Sequence, residues 1–307
     1  MSKGRPPLGL IAGPTAAGKS AVALAWAERA NGVLINADSA QIYAGLGIIS
    51  AGPSPSEFAR VEHRLFGFRD PGDPCSAAEW AGLAAREVRA VWADGRLPIL
   101  VGGTGLYLRT LLDGIAPVPP IDPAVRSAVR AATVADNHRE LRELDPEAAT
   151  RLHPADTTRI ARALEVVRST GRSLADWQQA REGGLRAEAD LRGAILLPPR
   201  AWLYERCEGR FAAMLDEGAI AEVRSLLERG LDPALPAMRM IGVREVAALL
   251  RGEVDRAGCV AAGAQATRNY AKRQYTWFRH QRLGDLMNVE DALDEVKIDR
   301  LAATLAC

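Results

Sequence analysis

The eight residues Gly13-Pro14-Thr15-Ala16-Ala17-Gly18-Lys19-Ser20 constrain this chain more than any other feature, because they spell G-x-x-x-x-G-K-[ST] in full. The glycines let backbone N–H groups turn inward on an anion, and the start of a following helix adds its dipole. Lys19 then supplies a point charge to phosphate oxygens, and Ser20 a hydroxyl to Mg²⁺. The chain has only four lysines (Lys3, Lys19, Lys272, Lys297) among its 39 cationic residues. Chance would therefore place the motif in about two of a thousand chains of this composition.

The surrounding pattern gives the motif its setting. Residues 8–12 form a short apolar run that ends in the glycine loop, and residues 20–30 have Ala-rich helical character. A second apolar run, 33–35, closes on Asn36-Ala37-Asp38-Ser39. Residues 77–93 read as a helix, and 97–101 as a strand running straight into Gly102-Gly103-Thr104-Gly105. Residues 193–197 read as one more buried strand. Short strands bounded by glycines and alternating with helices predict an α/β fold, a parallel sheet with crossover helices.

Between residues 117 and 191 no strand-like run appears. Pro117, Pro119, Pro120 and Pro123 punctuate the entry, and Arg/Glu-rich helical patterns follow, so this stretch reads as a helical insertion. The expected division is 1–116 for the first part of the core, 117–190 for the insertion and 191–307 for the return. In that return, helical patterning over 202–229 gives way to a proline-broken loop at 231–236 and two further helices. With 307 residues, 48% of them hydrophobic and 25% charged, the chain can bury a core, and disordered and collagen-like classes fall away. A net charge of +1 excludes a uniformly basic coat but not a local basic patch. Cys75, Cys207, Cys259 and Cys307 form no C-x-x-C pair, which predicts reduced, mostly buried thiols. The opening residues hold too few consecutive apolar positions for a signal sequence or a membrane span, so a cytoplasmic protein is expected; a monomer is the expected state.

A phosphate loop alone specifies only a bound di- or triphosphate. The base-reading N-K-x-D of a GTPase is absent. Asp38 ends a strand, where an aspartate can cap a helix, hold Mg²⁺ or act as a general base. Gly102-Gly103-Thr104-Gly105-Leu106-Tyr107 is a second glycine loop, which alone is as consistent with a tight turn as with a ligand site. Parallel sheets bind ligands at the carboxyl ends of their strands, so the three loops are expected to converge, with the Thr104 hydroxyl in the same crevice.

Taken together these segments resemble the tRNA dimethylallyltransferase (isopentenyltransferase) family. The resemblance rests on Gly13 to Ser20, on Asn36-Ala37-Asp38-Ser39-Ala40-Gln41-Ile42-Tyr43 and on Gly102 to Tyr107. It continues through His153-Pro154, Arg159-Ile160-Ala161-Arg162-Ala163-Leu164-Glu165-Val166, Met240-Ile241-Gly242-Val243-Arg244-Glu245 and Ala271-Lys272-Arg273-Gln274-Tyr275-Thr276-Trp277-Phe278-Arg279. These segments stand in family order from about residue 8 to 282. The chain departs from the pattern at Ile49-Ser50-Ala51-Gly52-Pro53, where a lysine of the family is missing, and at Thr158, where the family has glutamine.

The resemblance implies a P-loop NTPase-like core with an inserted all-helical tRNA-binding domain. It implies transfer of a dimethylallyl group from its diphosphate to N6 of the adenosine 3′-adjacent to the anticodon, with Mg²⁺, in tRNAs reading codons that begin with U. Gly13, Pro14, Thr15, Ala16, Ala17, Gly18, Lys19 and Ser20 would cradle the diphosphate, with Ser20 on Mg²⁺. Asp38 corresponds to the general base, Thr104 to a residue near the reacting centre and the tRNA, and Arg210 to a diphosphate-side arginine. From its place in the sequence alone, Arg210 reads more readily as a surface charge. Asp38, Ser39, Ala40, Gln41 and Thr104 correspond to the grip on the extruded base. Arg126, Thr158, Arg159, Ile160, Ala161 and Arg162 correspond to contacts with the anticodon stem-loop.

A local charge pattern supports an RNA surface independently. Residues 259–282 carry Arg268, Lys272, Arg273, Arg279 and Arg282 with Tyr270, Tyr275 and Trp277 and no acid. The competing explanation is an amphipathic helix whose aromatics, Trp277 and Phe278 above all, belong to the core. The alternative function is a P-loop small-molecule kinase, which calls for a short arginine-rich lid that is not seen apart from the long insertion. A non-enzymatic RNA binder has no physical need to combine Lys19, Asp38 and Thr104.

Overall fold

The computed structural model describes residues 4–281 and 283–307. Lys3 and Arg282, both counted among the cations above, lie outside the described residues. Six strands form one sheet: β1 (Pro7–Ala12), β2 (Gly32–Asn36), β3 (His63–Arg64), β4 (Leu97–Gly102), β5 (Asp190–Leu196) and β6 (Met287–Val289). Their order is β3-β2-β4-β1-β5-β6 and every pairing is parallel. The register sets Ala12 beside Gly102 and Asn36 beside Val101, so β1, β4 and β2 end level with one another.

Helices α1 (Lys19–Arg29), α2 (Pro55–Arg60), α3 (Ala77–Ala93) and α4 (Gly105–Asp113) alternate with the first strands. Along β1, Leu8, Leu10 and Ala12 join one buried cluster with Trp80 and Leu108, while Ile11 joins another with Val22 and Trp26. That period of two, with both faces covered, is what a central parallel strand requires. After β5 come α10 (Arg200–Glu217), α11 (Ala219–Glu228), α12 (Val243–Leu250), α13 (Arg256–His280) and α14 (Glu295–Ala306). The patterning over 202–229 is two helices, because Gly218 adopts φ 120° between them. The sequence reading also missed α14, which Asp294 caps, and the strands β3 and β6, which are too short to leave an apolar run.

The chain divides into two compact units, residues 4–112 with 185–307 among those described, and the helical insertion Asp113–Gly184. The compact unit begins and ends earlier than 117–190: α4 ends at Asp113, and Leu185 and Ala189, just before β5, are already buried in the main core. It holds α5 (Pro123–Ala131), α6 (Val134–Leu144), α7 (Pro146–Arg151), α8 (Thr157–Thr170) and α9 (Leu174–Gln179) around its own core of Val129, Leu141, Ile160 and Leu164. Asp122, Thr133, Asp145, Asp156 and Ser173 cap these five helices in turn. A bridge between Ile115 and Glu182 pairs the insertion's two ends. All four cysteines are unpaired; Cys207 and Cys259 are buried, Cys75 is partly buried and Cys307 is exposed. Among the described residues no helix is long and apolar enough to cross a membrane.

Candidate active site

The phosphate loop leaves β1 and enters α1 through Ala16 (φ 64°) and Gly18 (φ 93°). Lys19 opens α1, and its Nζ donates to the Pro14 carbonyl at 2.8 Å, which holds the ammonium over its own loop. Burial lowers the Lys19 pKa to about 8, with Asp38 acting to raise it and Arg210 to lower it. Ser20 is exposed beside it on the first turn.

Asp38 follows β2, and its backbone is clamped by a residue that the sequence reading did not single out. The Asn36 side chain is fully buried; its Oδ1 accepts from the Asp38 N–H at 2.8 Å, and its Nδ2 donates to the Asp38 and Leu65 carbonyls at 3.0 Å each. Asp38 Oδ1 in turn accepts from the Ala40 N–H at 3.0 Å. The second glycine loop is bonded directly to this segment. Thr104 Oγ1 accepts from the Ser39 N–H at 2.9 Å and donates to Ser39 Oγ at 3.2 Å, and the Thr104 N–H donates to the Ala37 carbonyl at 3.2 Å. Tyr270 of α13 lies near Thr104, and burial, followed by the nearby Asp38, pushes its phenol pKa well up, so it stays protonated.

Arg210 is no surface charge. It is half-buried on α10, and its Nη2 donates to Thr15 Oγ1 at 2.5 Å. Burial lowers its pKa, an effect that Asp38 and Cys207 oppose. One turn earlier, Arg206 Nε donates to the Ala16 carbonyl at 3.1 Å. Thr15, Asp38 and Arg210 line a cavity of about 320 Å³; Ile49, Phe211, Met214 and Met240 form its apolar wall, and Ser50, Arg239 and Arg273 line it as well. The sequence reading missed that wall. Its only signals were the Met240-Ile241-Gly242 segment and the position of Phe211 beside Arg210.

The sequence matches the IPP transferase family over residues 41–281. The chain belongs to that family. It is 58% identical over 291 residues to the tRNA dimethylallyltransferase of Erythrobacter litoralis, covering 93% of this chain and 92% of that protein. It is 57% identical over 299 residues to that of Sphingopyxis alaskensis, covering 97% and 98%. The structure resembles the tRNA isopentenylpyrophosphate transferase of Bacillus halodurans, with a TM-score of 0.69 and 31% identity over 98% of this chain and 95% of that one. It also resembles a eukaryotic dimethylallyltransferase acting on tRNA, with a TM-score of 0.84 and 26% identity over 97% of this chain and 77% of that one. The fold is thus the P-loop NTPase-like one expected, and the kinase alternative is not favoured.

The residues expected at RNA divide by exposure. On the insertion, Arg126 of α5 and Thr158 and Arg159 of α8 are exposed, and Arg162 is half-buried. Ile160 is 0% exposed and Ala161 7%. Helical periodicity turns these two into the insertion's core, and their side chains are not available to RNA. On α13, Lys272, Arg273 and Arg279 are exposed, while Arg268 is paired with Glu208. Phe278 is buried in the main core, and Trp277 packs against Gly105 with the Arg109 guanidinium 5.8 Å from its ring. The core explanation holds for those two aromatics.

Proposed function

We propose that this protein transfers a dimethylallyl group from dimethylallyl diphosphate to N6 of the adenosine 3′-adjacent to the anticodon, in tRNAs reading codons that begin with U. One observation carries the reading: a single cavity joins Thr15 and Arg210, Asp38, and the apolar wall of Phe211, Met214 and Met240. A diphosphate attached to a short hydrocarbon needs polar donors and an apolar wall in the same cavity; a transferred γ-phosphate needs no such wall.

In this reading the N–H groups of the loop from Ala16 to Ser20, with Lys19 and Arg210, hold the diphosphate and stabilise the charge that builds on it. The C–O bond to the dimethylallyl group breaks, a C–N bond forms to N6, and the Asp38 carboxylate takes the amine proton. The phosphate-loop donor set fits a divalent ion. Ser20 offers one hydroxyl, and among the described residues no group of three or more His, Cys, Asp or Glu forms a metal cage. Mg²⁺ would thus take its remaining ligands from phosphate oxygens and water, and would supply charge neutralisation to the leaving diphosphate.

The target adenine is stacked in a folded loop and must be drawn out to react. Ser39, Ala40, Gln41 and Thr104 stand around Asp38 to receive it, and Gln41 is anchored by bonds to the Ser50 and Ala51 carbonyls at 3.2 and 2.6 Å. Arg126, Thr158, Arg159 and Arg162 are the insertion's contacts with the anticodon stem-loop. The protein works as a monomer in the cytoplasm.

The test supplies radiolabelled dimethylallyl diphosphate and Mg²⁺ with unmodified tRNA, with AMP or with no acceptor. Label in tRNA alone is expected. Label in AMP would make this a transferase to free nucleotides, and ATP consumption without prenyl transfer would revive the kinase.

A further inference from the structure

Gln274 lies on α13, one turn beyond Tyr270, and is 6% exposed. Its Oε1 accepts from the Thr15 N–H at 2.8 Å, and its Nε2 donates to the Gly103 carbonyl at 2.8 Å. Only one orientation of the amide satisfies both partners, since Thr15 presents a donor and Gly103 an acceptor. The fit is tight: a Cβ on Gly103 would lie 2.2 Å from the Gln274 amide nitrogen. β1 and β4 are neighbours, so the loops that leave them face each other, and this amide is a cross-brace between the two.

The brace has a consequence for the donor site. A Thr15 N–H committed to Gln274 is withdrawn from the set of amides that face the diphosphate. Thr15 is instead fixed at both ends, its backbone by Gln274 and its hydroxyl by Arg210. On the other side, Gly103 is followed by Thr104, which is bonded to Ser39 next to Asp38. From this geometry we infer that Gln274 is a positioning residue for the transfer. Its amide sets the separation between the loop that holds the departing diphosphate and the loop that holds the acceptor side, without touching either substrate.

The inference rests on the prenyl-transfer reading, and it predicts an effect on turnover more than on binding. Misplacing reacting groups by about 1 Å can cost about a hundredfold in rate. Gln274→Met keeps the length of the side chain and removes both hydrogen bonds. Its kcat is expected to fall at least about tenfold, while the KM values for dimethylallyl diphosphate and tRNA stay within about threefold.

Gln274→Glu supplies the readout that a merely structural role would not move. Protonated, its carboxyl has a carbonyl oxygen for the Thr15 N–H and an O–H for the Gly103 carbonyl, so the brace re-forms. Ionised, it sets a carboxylate oxygen against that carbonyl. The ratio of variant to wild-type kcat should therefore rise as pH falls through the variant's carboxyl pKa, which burial raises. Comparing one variant with itself across pH removes any constant loss from altered folding.

A Met variant with wild-type kcat, losses confined to KM, or a Glu-to-wild-type ratio that is flat with pH would each overturn the brace. Wild-type protein that transfers no prenyl group to tRNA would instead overturn the reading beneath it.

Discussion

Arg210 and Thr15 are 195 residues apart in the chain, yet the Arg210 guanidinium donates to the Thr15 hydroxyl at 2.5 Å. The bond ties α10 to the phosphate loop, and in the proposed reading the planar guanidinium there suits two phosphate oxygens. Arg210→Ala should weaken dimethylallyl diphosphate binding by about ten- to a hundredfold, the worth of a hydrogen bond to a charged group at about 1.5–3 kcal/mol. tRNA affinity should hardly change. Arg210→Lys keeps the charge but not the fork and should recover only part of the loss. Titration with the donor and with tRNA separately checks both; an equal loss for the two ligands would remove Arg210 from the diphosphate side.

Lys19 should make donor binding depend on pH. Its pKa is lowered to about 8, chiefly by burial. Below that pH the free protein carries an ammonium at the loop; as pH rises through it the charge is lost and dimethylallyl diphosphate should bind more weakly. The stability effect has the opposite sense. An unfolded lysine titrates near about 10.4, so between about 8 and that value the unfolded chain binds the extra proton. The penalty for burying a charged Lys19 is therefore full below about pH 8 and fades as pH climbs toward 10.4. Calorimetric titration of the donor across pH 7–9.5, repeated on Lys19→Met, tests this: the variant should bind weakly with no inflection near pH 8.

Much of this site was legible because its residues sit in local patterns. The phosphate loop, Asp38 and Thr104 each close an apolar strand, and parallel pairing then brings the strand ends together. Arg210 was ambiguous because nothing near it in the sequence reports on Thr15. Asn36 and Gln274 lie within the motifs yet show no role there, since a buried amide shows its purpose only through the backbone groups it bonds. The apolar wall was invisible for a related reason: Ile49, Phe211 and Met240 come from three distant segments whose hydrophobicity reads as ordinary core. Ile160 and Ala161 belong to a segment carried across whole by resemblance, and helical periodicity turns the side chains of these two inward.

Asp38→Asn separates general-base chemistry from shape. The amide keeps an oxygen for the Ala40 N–H, and the Asn36 clamp on the backbone is untouched. Only the ability to accept a proton is lost, so the transfer rate should fall about a hundredfold to ten-thousandfold. tRNA and donor affinities should stay within a few fold. Single-turnover measurement with both substrates saturating is the check, and a rate within threefold of wild type would assign the proton to another group.

Lys272 tests whether α13 meets RNA. It is exposed on the helix whose other faces carry the buried Ala271, Gln274 and Phe278. A cation that neutralises one phosphate releases condensed counterions, so its removal lowers the salt slope as well as the affinity. Lys272→Ala should weaken tRNA binding for every tRNA alike and reduce the slope of log K against log salt by roughly one unit or slightly less. Its stability should hardly move, because an exposed helix position accepts alanine readily. Arg273 is the informative neighbour. It is exposed yet lines the cavity, and its guanidinium lies 5.6 Å from the Tyr270 ring. Arg273→Ala should therefore lower turnover as well as the slope. Filter binding of one tRNA at four salt concentrations reads both slopes, a turnover measurement separates the two variants, and unchanged slopes in both would return this face of α13 to a solvated helix surface with no part in tRNA binding.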